Sequence, residues 1–246
     1  MMDDDENLLE EVITKLSKIM SLGNEGLDSN LGGGIPWGSL ILISGENASG
    51  KSTLVQQFAM GALEQNKRVL YVNTEQTIDG MLKNMKSLSW EPYKYFLDDK
   101  FTIIPTITTK GKVKQNTDII FPKLITLLNA SKHELIIVDT VDFFTQGLSL
   151  TKFREFFVEM RQILRNDSNV VLVFPSFFME ENKLDQLTNL FDVYLDIKFV
   201  IDEGSGSLNR IVNVNKFRST GELVSERIPI LVDPAFGIRV SAVSTA

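Results

Sequence analysis

Two hydrophobic periods alternate along this chain. Short, nearly unbroken apolar runs fall at Ser39–Ser44, Arg68–Asn73, Phe101–Ile104, Leu135–Asp139 and Val170–Phe174. Such runs are too short for ordinary helices and lack the polar alternation of a strand with one wet face. They predict strands buried on both faces. Between them, apolar residues spaced three and four apart predict helices over 53–65, 78–88, 118–130, 152–165 and 184–191. Strands alternating with helices imply right-handed crossovers, hence a mostly parallel central sheet with helices on both faces. After residue 192 the rhythm changes. The stretches 193–201, 210–217, 223–229 and 237–240 predict consecutive strands, with turns at 204–206 and 220–221. They extend the same sheet as antiparallel hairpins. The expected class is α/β.

Ahead of the first buried strand, Leu8, Leu9, Val12, Ile13, Leu16 and Ile19 have near-helical spacing. They predict a helix over 7–20, with residues 1–22 packed on the domain edge. The glycine-rich stretch from Gly23 to Gly38 predicts a long turn. No linker-like shift in composition follows, so 1–246 is expected to be one domain.

Composition removes several chemistries. Of 246 residues, 43% are hydrophobic and 23% charged, which fits a globular chain. There is no cysteine, so disulfides, thiolate zinc sites and cysteine nucleophiles are excluded. The single histidine, His133, leaves no multi-histidine metal site and is expected in a solvated loop between Lys132 and Glu134. A net charge of −7 argues against affinity resting on nucleic-acid phosphates, so no direct nucleic-acid contact is expected. The start, Met1-Met2-Asp3-Asp4-Asp5-Glu6, is acidic where a signal peptide is basic. No apolar run approaches the roughly 18 residues of a membrane span. A soluble, cytoplasmic chain without membrane insertion is expected, with any membrane attachment made through protein partners.

One motif carries specific chemistry. Gly45-Glu46-Asn47-Ala48-Ser49-Gly50-Lys51-Ser52 fits G-x-x-x-x-G-K-[ST] and lies between a buried strand and a helix, the context this motif needs. The loop turns backbone N–H groups of Asn47, Ala48, Ser49 and Gly50 inward, and the helix N-terminus adds positive potential. Gly45 and Gly50 allow the backbone angles. Lys51 would reach the β- and γ-phosphates of ATP, the Ser52 hydroxyl would ligate Mg²⁺, and Thr53 could assist. The strand Leu135–Asp139 ends in a carboxylate, the Walker B pattern, and places Asp139 on the Mg²⁺ side, usually through water. Asp142 is expected to be solvated or capping.

Gly26-Leu27-Asp28 and Leu31-Gly32-Gly33-Gly34-Ile35-Pro36-x-Gly38, running into this strand and P-loop, resemble the RecA superfamily and its KaiC/RadA branch. Tyr71-Val72-Asn73-Thr74-Glu75 resembles that branch's strand ending in a catalytic carboxylate. The resemblance gives Glu75 the role of polarising the attacking water. Many members have two adjacent glutamates there; this chain has Glu75-Gln76. Lys216 and Arg218, in Val214–Gly221, resemble the Lys-x-Arg strand whose cations reach the neighbouring subunit's nucleotide. Within the branch, Leu54–Phe58, Gly61-Ala62-Leu63, Thr74-Glu75 and Val232–Ile238 are similar to the FlaH family of archaellum ATP-binding proteins. The resemblance implies a RecA-like P-loop protein that binds Mg·ATP, hydrolyses it weakly or not at all, and forms a homo-oligomeric, hexameric ring. Its implied partners are the archaellum motor ATPase and a polytopic membrane platform protein.

Two other functions share this fold. A RecA-type recombinase needs cationic loops along its DNA path. Here Thr140–Leu150 has no Lys or Arg, and Pro175–Gln186 has Lys183 against Glu180, Glu181 and Asp185. A free-standing KaiC-type regulatory ATPase or kinase would look alike in sequence. Phe143-Phe144 and Phe177-Phe178 in these loops are read as pairs of which one member fills the core, or as a partner-binding patch.

Overall fold

In the computed structural model, which describes residues 18–106, 117–145, 148–165, 167–176, 187–201, 208–218 and 223–241, the apolar runs become strands of one sheet. The described chain opens with Ile19–Met20 (β1), helix Glu25–Asn30 (α1) and Ile35–Pro36 (β2). The glycine-rich stretch is therefore not one long turn. Asn24 caps α1 by accepting from the Leu27 amide, and Leu27 is buried beneath it. β1 pairs antiparallel with β2, so Ile19 and Met20 are strand rather than the end of a helix. The rest of the expected 7–20 helix lies outside the described residues, apart from Lys18 in a turn.

The following elements keep the expected order. They are Leu40–Gly45 (β3), Lys51–Glu64 (α2), Val69–Asn73 (β4), Ile78–Ser87 (α3), Pro92–Leu97 (α4) and Phe101–Pro105 (β5). Then come Thr117–Ala130 (α5), Leu135–Asp139 (β6), Asp142–Thr145 (α6), Leu150–Ile163 (α7) and Asn169–Pro175 (β7). A 3₁₀ turn at Thr188–Leu190 precedes Val193–Ile201 (β8), Leu208–Phe217 (β9), Arg227–Asp233 (β10) and Gly237–Val240 (β11). Sequence periodicity did not anticipate α4, which starts at Pro92, or the single-turn α6. Of the expected 184–191 helix, residues 184–186 lie outside the described residues; Leu187 is helical and the 3₁₀ turn Thr188–Leu190 follows it. The strand expected at 223–229 runs from 227 to 233 instead. Ser225 is held outside the strand by its amide bonding Asn30 O at 2.8 Å, and Ile228 and Ile230 supply the buried alternation.

The sheet order is β11-β10-β9-β8-β3-β7-β6-β4-β5. Strands β3 to β8 are parallel and β8 to β11 antiparallel. β3 explains why it is apolar throughout. Ile41 and Ile43 enter the cluster with α2, while Leu40 and Leu42 enter the cluster with α7 on the other face. The second cluster holds Phe153, Phe156 and Phe157 of α7, with Phe157 edge-on to Phe191 at 5.1 Å. Gly61 lets α2 press on the 21–23 backbone, since a Cβ there would sit 2.3 Å from the Leu22 carbonyl carbon. Gln57 Nε2 fastens the contact by donating to Leu22 O at 3.0 Å.

Candidate functional site

Parallel pairing brings the C-terminal ends of β3, β4 and β6 to one edge of the sheet: Gly45, Asn73 and Asp139. From Gly45 the chain winds tightly into α2. A Cβ on Gly45 would lie 2.7 Å from both Ile197 O and Ser49 Oγ. Gly50, at φ 98°, adopts the left-handed conformation that glycine tolerates, whereas Ala48 at φ 62° holds it at a cost of about 1 kcal/mol. Asn47 is exposed, Ser49 is buried with an unpartnered Oγ, and Ser52 and Thr53 are half-buried. Gly50 caps α2 without a side-chain acceptor, and no acidic residue occupies the first turn. The opening amides of a fourteen-residue helix thus meet the loop with no anion of the chain's own.

Lys51 folds over this loop. Its Nζ donates to Gly45 O at 2.9 Å and Glu46 O at 2.6 Å. Burial pulls the lysine below its ordinary pKa, opposed by the nearby carboxylates Asp139, Glu75, Asp142 and Asp196.

Asp139 is 4% exposed. Its Oδ2 accepts from Tyr71 Oη at 2.7 Å, while Oδ1 is buried without a partner. Burial pushes its pKa up to about 6; the Tyr71 phenol and the nearby Ser52 hydroxyl oppose the rise, Glu75 adds to it, and Lys51 counters it. Thr74 buttresses this end of β6, its amide donating to Asp139 O at 2.8 Å and its Oγ1 accepting from Thr140 N at 2.9 Å. Asn73 shapes the next turn, its Oδ1 accepting from the amides of Glu75 at 3.0 Å and Gln76 at 3.1 Å. That turn leaves Glu75 exposed and buries Gln76 Oε1 without a partner. Asp142 opens α6 half-buried, with an unpartnered buried Oδ1 and no capping bond among the described contacts.

The structure therefore gathers Gly45 to Thr53, Asp139 and Glu75 at one edge. It does not bring Lys216 and Arg218 there. β9 runs antiparallel to β8, pairing Lys216 with Tyr194, which in turn pairs with Leu42. Arg218 lies further down, its amide donating to Asp192 O at 2.8 Å. Asp192 in turn sits beside Leu40, so Arg218 lies about 16 Å from the level of Gly45 at strand rise. Lys216 Nζ donates to Thr188 O at 2.8 Å. Arg218, 70% exposed, pairs with Asp192 Oδ1 at 3.3 Å. Asp192 also binds Arg161 through both oxygens and accepts from Leu40 N at 3.0 Å. Burial would raise its pKa, but Arg161, the Leu40 amide and Arg218 hold it below the usual carboxylate range.

His133 is not a solvated loop residue. It is half-buried between Thr102 Oγ1 and Ser131 Oγ, both at 2.9 Å. Phe144 is buried and Phe143 half-buried, their rings edge-on at 5.0 Å, so one member of that pair fills the core. Phe177, Phe178 and Lys183 lie outside the described residues. Sequence reasoning missed Tyr71, Asn73 and Asp196. Asp196 is buried near the loop and accepts from Ser44 Oγ at 2.5 Å. Its signal was a carboxylate interrupting an apolar strand; that of Tyr71 was a phenol inside one.

A parallel sheet with a phosphate-type loop after β3, a carboxylate ending β6 two strands away, and an antiparallel C-terminal extension define a RecA-type P-loop fold. The family model described as "ATPase: KaiC" matches residues 20–244. The archaeal flagellar ATP-binding protein FlaH of Sulfolobus acidocaldarius is 30% identical over 92% of this chain and 98% of its own length. The protein of the same description from Methanocaldococcus jannaschii is 26% identical over 95% and 99%. The crystal structure of flagellar accessory protein FlaH from M. jannaschii superposes with a TM-score of 0.75 at 22% identity, covering 92% of this chain and 99% of that one. A KaiC-like protein from Pyrococcus horikoshii gives 0.71 at 21%, covering 91% and 99%. Those superpositions speak for the fold; the sequence matches speak for descent. The chain belongs to the KaiC ATPase family and, within it, to the FlaH family of archaeal flagellar ATP-binding proteins.

Proposed function

We propose that this protein is an Mg·ATP-binding accessory subunit of the archaeal motility motor, in which nucleotide binding controls ring assembly and partner contacts while hydrolysis is weak or absent. The observation that carries the binding half is the cradle from Gly45 to Ser52 facing a buried carboxylate with one unmet oxygen. Phosphate would fill the nest and draw Lys51 from the Gly45 and Glu46 carbonyls. The residues present fit Mg²⁺, because Asp139 Oδ1 lacks any partner and the Ser52 hydroxyl adjoins the same carboxylate. Ser52 would ligate the ion, and Asp139 would hold its water shell. The ion would neutralise phosphate charge. Glu75 would orient water. The neutral Gln76 beside it, in place of the second glutamate that the KaiC resemblance implies, supports weak hydrolysis.

The relatives' names, flagellar ATP-binding protein and flagellar accessory protein, support a place in the motility system; the motor ATPase and the polytopic membrane platform are the partners that this reading gives the chain. Among the described residues no helix is long and apolar enough to cross a membrane, which suits peripheral attachment through those partners. The separation of Lys216 and Arg218 from their own subunit's cradle supports a role at the neighbour's nucleotide. A head-to-tail contact that closes makes a ring, hexameric in this reading.

The test is the identity of the bound nucleotide over hours after mixing with Mg·ATP. Persistent ATP fits an ATP-held scaffold, and one equivalent of ADP that then stops fits a single hydrolysis with trapped product. Sustained turnover would make the chain a free-standing regulatory ATPase. Unchanged ATP affinity in Lys51→Ala would overturn the site.

A further inference from the structure

Tyr71 stands in the middle of β4, 1% exposed, with its ring edge-on to Phe101 at 6.4 Å. Phenylalanine would pack as well there, so the hydroxyl needs its own explanation. β4 and β6 pair in register, Tyr71 opposite Ile137 and Asn73 opposite Asp139. Ile137 and Asp139, two residues apart, share a sheet face with Tyr71. The phenol therefore reaches along that face to Asp139 Oδ2, at 2.7 Å. Gln56, buried on α2, lies against the phenol from the helix side. A chain of contacts thus runs from the helix that opens at Lys51, through Gln56 and Tyr71, to the carboxylate at the end of β6.

This divides the two carboxylate oxygens. Oδ2 is taken by a rigid, fully buried donor, and turning the carboxylate would break that bond. Oδ1 is the oxygen left buried and unpartnered. We propose that Tyr71 is a positioning residue for the metal: by holding Oδ2, it aims Oδ1 alone at the hydration shell of nucleotide-bound Mg²⁺. The proposal rests on the reading of Asp139 given under the proposed function. Groups that orient a metal-side carboxylate without touching the metal commonly matter tenfold or more for metal affinity.

The test uses the full chain and ATP as probe, measuring affinity in EDTA and in excess Mg²⁺. The ratio of the two is the factor by which the metal tightens binding. In Tyr71→Phe that factor should fall about tenfold, with affinity in EDTA unchanged. In an Asp139→Asn background, adding Tyr71→Phe should change the factor no further. Equal weakening with and without Mg²⁺ would mean that Tyr71 only supports the fold, and would overturn the proposal. So would an unchanged factor in Tyr71→Phe alongside a reduced one in Asp139→Asn. An unchanged factor in Asp139→Asn itself would remove the underlying assignment of Asp139 instead. If Tyr71→Phe does not fold, Gln56→Leu frees the phenol from the helix side. It should lower the factor about two- to threefold, and no change there would overturn the proposal.

Discussion

Asp139 and Asp192 are both buried, and they stand at opposite ends of the parallel strands. Asp192 has every partner it needs: two guanidinium groups and a backbone amide. Asp139 has one phenol bond, the adjoining Ser52 hydroxyl and a lysine turned towards carbonyls, with Oδ1 unpaired. The first carboxylate is held below its ordinary pKa and the second is pushed to about 6. A buried charge whose partners are all present is architecture. One left short is a place where something else binds, because the missing partner is the ligand. The largest expected effect tests the architectural half. Asp192→Ala strands Arg161 and the Leu40 amide, and should destabilise the protein by about 3 kcal/mol in denaturant unfolding.

Asp139→Asn should act in the opposite direction. It removes the desolvation penalty, so the nucleotide-free protein should gain stability at pH 7, by at most about 3 kcal/mol. The same variant should gain less thermal stabilisation from Mg·ATP than the unaltered chain. A destabilised Asp139→Asn would break the comparison.

Acid titration separates the two groups by sign. Asp139 has a raised folded pKa, so its penalty is full above about pH 6 and fades as pH falls towards its unfolded value of 3.8. The advantage of Asp139→Asn should therefore shrink between pH 7 and 4. Asp192 has a depressed folded pKa. Its contribution is present above the unfolded value and is lost only as pH falls through the folded one. The deficit of Asp192→Asn should persist to about pH 4 and close below it. Unfolding midpoints of both variants across this range check the point.

The smallest stability effect belongs to Arg218. Its exposed side chain makes a solvent-screened pair, so Arg218→Ala should cost under about 1 kcal/mol. Light scattering with Mg·ATP should nevertheless show weaker assembly. A large stability loss with unaltered assembly would reassign Arg218 to the Asp192 cluster.

Much of this was legible before any coordinates. β3, β4, β6 and β7 were visible because strands buried on both faces leave runs without polar interruption. The P-loop was visible because its glycines and Lys51-Ser52 must stand at set spacing. α1 was hidden because its signal is a capping asparagine amid glycines, which local propensity reads as turn. The shift of β10 was hidden because register depends on Ser225 meeting Asn30, nearly two hundred residues away in sequence.

The sequence by itself determined the class of fold, the cradle and the carboxylate at the end of β6, since each is written in neighbouring residues. Tertiary structure alone decided what each carboxylate meets. Tyr71 reaches Asp139 only because β4 lies beside β6, and Arg161 reaches Asp192 only because α7 packs near the start of β8. It also put Lys216 and Arg218 at the far edge from their own cradle, because an antiparallel strand runs away from the end where its parallel neighbours finish. Hydrogen bonds and desolvation act over a few ångströms of space, and that distance is set by sheet order, which no local stretch of sequence contains.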